Sequence, residues 1–96
     1  MACIYKLYHT KSNAILYVGK TTQSLDTRLA RHRINPPGYM MKNYIKMNGS
    51  DSFNIELLED IASLDNIDER ETYWINELKP MFNVEKTHRF KLIVKI

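Results

Sequence analysis

The chain has a single cysteine, Cys3, so it can form no internal disulfide and hold no cysteine-rich zinc site. Long apolar runs are missing as well. The longest, Ala14 to Val18, is five residues, against the roughly 20 that a membrane span needs, so no membrane partner is expected. Nothing after Met1 resembles the charged and apolar segments of a secretory leader. An intracellular protein is therefore expected, in cytoplasm or nucleoid, or inside a host cell if viral. Internal repeats, low-complexity tracts and linkers are also absent. The triplet Gly19-Lys20-Thr21 lacks the upstream glycines of a phosphate loop, which excludes a nucleotide cofactor held that way. His9, His32 and His88 have no zinc spacing, and Cys3 has no basic or helix-terminal neighbour to activate it. Thiol chemistry is excluded.

What remains is an ordinary globular composition. The 96 residues are 44% hydrophobic and 26% charged, enough for one domain and too ordered in pattern for a disordered chain. A domain this small buries only about 60–65% of its unfolded surface. The formal net charge is +3, and its distribution is uneven. Residues 1–48 carry eight bases (Lys6, Lys11, Lys20, Arg28, Arg31, Arg33, Lys42, Lys46) against Asp26, a balance of +7, while residues 49–96 balance at −4. A basic half fits a polyanionic partner, because each cation set on a phosphate releases condensed counterions. A solvated surface of mixed sign fits equally well. Tyr5, Tyr8, Tyr17, Tyr39 and Tyr44 lie among these cations, suited to stacking, to phosphate contacts or to a core.

Periodicity supplies the elements. Cys3 to Tyr8 and Ala14 to Gly19 are rich in β-branched and aromatic residues and flank the polar loop 9–13, which predicts a hairpin. Alternation puts Cys3, Tyr5 and Leu7 on one face, and Ile15, Tyr17 and Gly19 on one face of the second strand. Ser24 is the expected N-cap of a helix to about Arg33, with Leu25 and Leu29 buried and Arg28 and His32 together on a neighbouring face. Asn35-Pro-Pro-Gly38 stops it. A second helix spans about Tyr39 to Asn48, with Gly49 closing it. Phe53 to Leu57 alternates as a third strand. Ser63 or Asp65 caps a last helix ending before Pro80, its inward face being Leu64, Ile67, Trp74, Ile75 and Leu78. Phe90, Leu92, Val94 and Ile96 alternate again, as an extra C-terminal strand or a partner-binding tail in 86–96. The order ββααβα predicts an α+β fold, a small three-stranded antiparallel sheet flanked by three helices, with a core over about 3–85 in one domain of 1–96.

One carboxylate is out of place. At roughly 100° per residue, Glu71 projects between Ile67 and Trp74, inside the apolar stripe, whereas Asp68, Glu69 and Glu77 fall outside it. A buried carboxylate costs several kcal/mol unless compensated. Either it forms a salt bridge, with Arg28 as the candidate partner, or it emerges at the rim of the helix, or it is a metal ligand at the edge of the core. Mg2+ takes one or two carboxylates and keeps waters that substrate oxygens can replace, an arrangement suited to phosphodiester cleavage. Tyr5 and Tyr17, on adjacent strands, are the second clue. A phenol with pKa near ~10 is ~0.1% ionised at neutral pH, so a basic role needs nearby cations, and Lys20 and Arg28 are the candidates.

Taken together, Cys3-Ile4-Tyr5, Tyr17-Val18-Gly19, Arg28-x-x-x-His32, Glu71-x-x-Trp74 and Pro80-x-x-Asn83 resemble the GIY-YIG nucleases in order, spacing and context, from residue 3 to about 85. Cys3 stands where the family usually has its first glycine, and Val18 where it has isoleucine. The family includes catalytic domains of intron homing endonucleases, restriction enzymes and a nicking repair subunit. The resemblance implies a metal-dependent endonuclease acting on duplex or branched DNA, with Mg2+ as cofactor and Mn2+ as a substitute. It implies Tyr5 as general base, Tyr17 orienting the water or phosphate, and Gly19 allowing close packing. Arg28 would contact the scissile phosphate, and His32 would assist the tyrosine or the phosphate. Glu71 would hold the metal, Asn83 would brace the site, and Lys20 and Arg31 would join Arg28 on the substrate. One site per chain implies nicking by a monomer or weak homodimer, leaving a 5′-phosphate and a 3′-hydroxyl. Two rivals stand beside this reading. One is a nucleic-acid binding module of the same fold without cleavage, and the other a small interaction protein that uses residues 90–96.

Overall fold

A computed structural model describes residues 2–83. Three strands, β1 (Ala2–His9), β2 (Ile15–Thr21) and β3 (Phe53–Ile61), form one antiparallel sheet in the order β2-β1-β3. Helices α1 (Leu25–Ile34), α2 (Tyr39–Asn48) and α3 (Ile67–Leu78) surround it, with a single 3-10 turn at Leu64–Asn66 before α3. The ββααβα order is thus the observed one. The proposed strand at residues 90–96 lies outside the described residues. Among the described residues no helix is long and apolar enough to cross a membrane.

The central strand explains the layering. In β1 successive side chains point to opposite faces, and both faces are covered. Tyr5 and Leu7 pack with Leu16, Met41 and Phe53 under Leu25 and Leu29 of α1 and Tyr44 and Ile45 of α2. Ala2 and Ile4 pack with Val18 and Ile61 under Ile67, Trp74, Ile75 and Leu78 of α3. Tyr44, one of the tyrosines among the cations, lies tilted against Phe82 and edge-on to Phe53. It serves the core.

Local signals set the helix ends. The Ser24 hydroxyl accepts from the Thr27 amide at 3.2 Å and caps α1. Gly49, at φ 95°, closes α2 with its N–H on the Ile45 carbonyl, a backbone state glycine adopts without penalty. Ser63 caps the 3-10 turn, its hydroxyl accepting from the Asp65 amide, whereas α3 itself starts after Asn66 with no side-chain cap, so neither Ser63 nor Asp65 caps that helix.

Three expectations are corrected. β3 runs on to Ile61 rather than ending at Leu57. Its register on β1 shifts between Ile4, opposite Glu59, and Tyr5, opposite Leu57. Leu58 is the extra residue, and a bulge of this kind breaks the period-two pattern. A second bulge lies in β2, where Leu7 faces Tyr17 but Tyr8 faces Ile15. The bulged Leu16 joins Tyr17 under α1 and α2, and Ile15 passes to the α3 face. Ile15 and Tyr17 therefore do not share a face. Leu64, expected on the inward stripe of α3, is 61% exposed, because the tighter 3-10 turn points it away from the sheet.

Candidate active site

Tyr5, in the middle of the central strand, has Gly19 of β2 directly opposite. A Cβ added at Gly19 would lie 2.6 Å from the Tyr5 ring Cζ, closer still to its hydroxyl, and 2.9 Å from Tyr17 Cε2. The missing side chain is the space in which both phenols sit. Tyr5 is fully buried and Tyr17 partly so. The Tyr5 hydroxyl is therefore sealed in this conformation and meets an incoming water only when a covering side chain shifts.

α1 delivers two nitrogen groups to that hydroxyl. His32 Nε2 lies 2.6 Å from Tyr5 Oη, and the Arg28 Nε–H donates to the same oxygen at 3.3 Å. The His32 ring also meets Tyr17 edge-on, with centroids 5.9 Å apart. Burial, seconded by the Arg28 charge, depresses the His32 pKa to about 4, so the imidazole is neutral near pH 7. Its Nδ1 is buried and has no hydrogen-bond partner among the described residues. Which group donates in the Tyr5–His32 hydrogen bond is set by the imidazole tautomer. The phenol oxygen accepts from the Arg28 Nε–H, an arrangement that favours negative charge on it. Burial works the other way and is stronger. It pushes the Tyr5 phenol well above its ordinary pKa, with the Arg28 hydrogen bond the main counterweight. Burial also raises Tyr17, with Glu71 adding to the rise and Arg28 opposing it.

Glu71 is buried, as its place in the α3 stripe requires. Among the described residues it forms an ion pair not with the expected Arg28 but with Lys20, whose Nζ lies 3.4 Å from Glu71 Oε1 and 2.6 Å from Asp68 Oδ1. Lys20 follows Gly19 on the edge strand β2, and α3 packs on that strand, so the shortest path from Glu71 to a cation leads there, while Arg28 is held on Tyr5. The hydrogen bond from Lys20 to Asp68 raises the Lys20 pKa, so its charge is secure. Arg28, Arg31 and Lys20 line one open cleft of about 550 Å³ with Thr21, Thr22 and Gln23, walled by Leu64 and Ile67. Asn83 stands apart from that cleft. Buried, it accepts from the Val18 amide at 2.7 Å and donates to the Val18 carbonyl at 3.0 Å, fastening the end of the described chain to β2. Of the residues singled out in the sequence, Tyr5, Tyr17, Arg28, His32, Lys20 and Glu71 lie around one locality, Arg31 extends it, and Asn83 and Gly19 shape the strand beneath. Asp68 was missed. Its only signal is its place one helical turn before Glu71.

The sequence matches the GIY-YIG catalytic domain over residues 1–86. The chain belongs to the GIY-YIG family. Two solved structures agree with it in fold. One is the catalytic domain of intron endonuclease I-TevI in a glutamate-to-alanine mutant form, 27% identical, covering 82% of this chain and 86% of that one at TM-score 0.67. The other is the catalytic domain of the homing endonuclease I-TevI, also 27% identical, covering 82% and 89% at TM-score 0.62. No curated protein sequence matches the chain. The α+β arrangement of three antiparallel strands and three helices is that of the GIY-YIG domain, and the chain is a nuclease domain by family.

Proposed function

We propose that this protein is a Mg2+-dependent endonuclease that hydrolyses one DNA strand per encounter and leaves a 5′-phosphate and a 3′-hydroxyl. The observation that carries the reading is the convergence of a doubly hydrogen-bonded phenol, a second phenol, a three-cation cleft and a buried carboxylate around the β1–β2 strand pair. Nothing in a purely structural role calls for these groups together.

The donor set suits some metals and not others. Among the described residues no three His, Cys, Asp or Glu side chains group together, so a dedicated cage such as zinc requires is not available there. A single hard carboxylate beside a cationic, open cleft fits an ion that keeps most of its waters and exchanges them for phosphate oxygens. Glu71 would hold Mg2+, or Mn2+ in its place. When bound, such an ion supplies positive charge against the oxygens of the reacting phosphodiester.

The remaining steps belong to the side chains. DNA enters along the cleft, where Arg31, Arg28 and Lys20 draw in the phosphate backbone. Arg28 contacts the scissile phosphate through the guanidinium nitrogens not used on Tyr5, and a phosphate that pulls on it also uncovers the phenol. Tyr5 takes the proton of the attacking water as its own proton passes to His32 Nε2, 2.6 Å away, with Arg28 steadying the charge on its oxygen. Tyr17 orients the water against the phosphorus.

A supercoiled plasmid tests the assignment. With Mg2+ the protein should open the plasmid, and EDTA should stop it. Glu71→Gln should lose at least about a hundredfold in rate, the loss typical of removing one charge-stabilising group, while its melting transition and circular dichroism stay native-like. Undiminished nicking by Glu71→Gln overturns the assignment.

A further inference from the structure

The Lys20 ammonium is shared unequally between two carboxylates of α3. It lies 2.6 Å from Asp68 Oδ1 and 3.4 Å from Glu71 Oε1. The Asp68 side chain is 81% exposed and that of Glu71 only 7%. Charge pairs attract more strongly where water is excluded, so burial alone would place the ammonium against Glu71. It leans toward the solvated partner instead. The two carboxylates are three residues apart, on adjacent turns of one helix face, and the lysine reaches both from β2.

Resting on the proposed role of Glu71, we infer that Asp68 is a positioning residue: it holds the Lys20 ammonium off Glu71 and so weakens the lysine's competition with a divalent cation for that carboxylate. A lysine drawn fully onto Glu71 would neutralise the one carboxylate the ion needs, and metal and lysine would compete for the same oxygens. Tethered to Asp68, the lysine stays at the mouth of the cleft, close enough to meet a phosphate and loose enough to yield Glu71. Asp68 then acts on the metal through Lys20, not as a ligand of its own.

That last statement makes the inference testable by a double-mutant cycle on the full chain. The readout is Mn2+ alone, titrated in without DNA and followed by loss of the free-ion electron paramagnetic resonance signal. Asp68→Asn should weaken Mn2+ binding about two- to fivefold, the range of a solvent-exposed ion pair. Lys20→Met should tighten it, because the competitor is gone. In the Lys20→Met background, Asp68→Asn should change binding by a factor near one, since the group through which it acts is missing. Melting curves without metal establish that each variant is folded. If Asp68→Asn weakens Mn2+ equally with and without Lys20, Asp68 attracts the ion directly and the inference is wrong. It is equally wrong if Asp68→Asn has no effect in the native background. Glu71→Gln separates the two layers. Loss of Mn2+ binding in that variant upholds the metal reading whatever the cycle gives, and native-like binding overturns both.

Discussion

Tyr5 depends on what its neighbours lack and what they donate. Gly19 provides the volume, and α1 provides the Arg28 N–H and the His32 ring nitrogen. Gly19→Ala should therefore damage stability and chemistry together. A Cβ 2.6 Å from Tyr5 Cζ forces the strand pair apart, a loss of about 1–3 kcal/mol for overpacking, read by denaturant unfolding alongside the nicking rate. Native stability in Gly19→Ala would mean the ring has room to move. His32 makes a second prediction, about pH. Its folded pKa, about 4, lies below the ordinary 6.5, so between these values the unfolded chain binds the extra proton and the native chain does not. Stability from the neutral ring is complete above pH 6.5 and drains away as pH falls toward 4, by on the order of 2–3 kcal/mol. His32→Gln, which cannot titrate, should show a flatter fall over that interval. Parallel curves for the two proteins would refute the assignment of a neutral buried imidazole. Much of this site was legible in the sequence, because tyrosine, glycine, arginine and histidine stand at fixed local spacings. Partner choice was not. Whether Glu71 pairs with Arg28 or Lys20 depends on which side of β2 meets α3, and the hydrophobic period of α3 carries no information about that.

Among the elements, the edge strand β2 is the most instructive. It carries Tyr17, Gly19 and Lys20, yet among the described residues it pairs with only one other strand, β1. The chain after α3 covers its other side. Met81 and Phe82 donate to the Ile15 and Leu16 carbonyls, and Asn83 holds both polar groups of Val18. Pro80 and the left-handed Lys79 turn the backbone out of α3 so that it can do so. Asn83→Ala would leave a buried amide and carbonyl of Val18 without their partner, at about 1–3 kcal/mol for each group. Unfolding measurements should find a loss near the upper part of that range, with hydrogen exchange of the Val18 amide speeding up more than that of Leu7 in the central strand. Equal acceleration at both sites would show a global effect instead of a lost clamp. The bulges at Leu16 and Leu58 mark the limit of reading elements from pattern. Each inserts one residue where alternation is assumed, so every face assigned beyond it inverts, and only pairing reveals the insertion.

At the scale of the whole molecule, the uneven charge of the sequence becomes a surface. Arg28, Arg31 and Lys20, all from the basic half, converge on one cleft, while Lys20 also meets the acidic residues of α3. A long-range field of this kind draws in a polyanion without reading its bases, and the cleft adds no base-reading helix. Arg31 is the member best suited to test the field alone. It is exposed, and the contacts of Tyr5 and Glu71 run to His32, Arg28 and Lys20. If its guanidinium meets one backbone phosphate, Arg31→Ala should weaken DNA binding by a similar factor on unrelated sequences. It should also reduce the slope of log affinity against log salt by about 0.9, the counterion share of one phosphate on B-form DNA. At saturating DNA the nicking rate should hardly change, because Arg31 acts before the chemistry. Filter binding at several salt concentrations and single-turnover nicking measure the two halves of this expectation. An unchanged slope would place Arg31 off the DNA, and a collapse of the saturated rate would place it on the reacting phosphate beside Arg28.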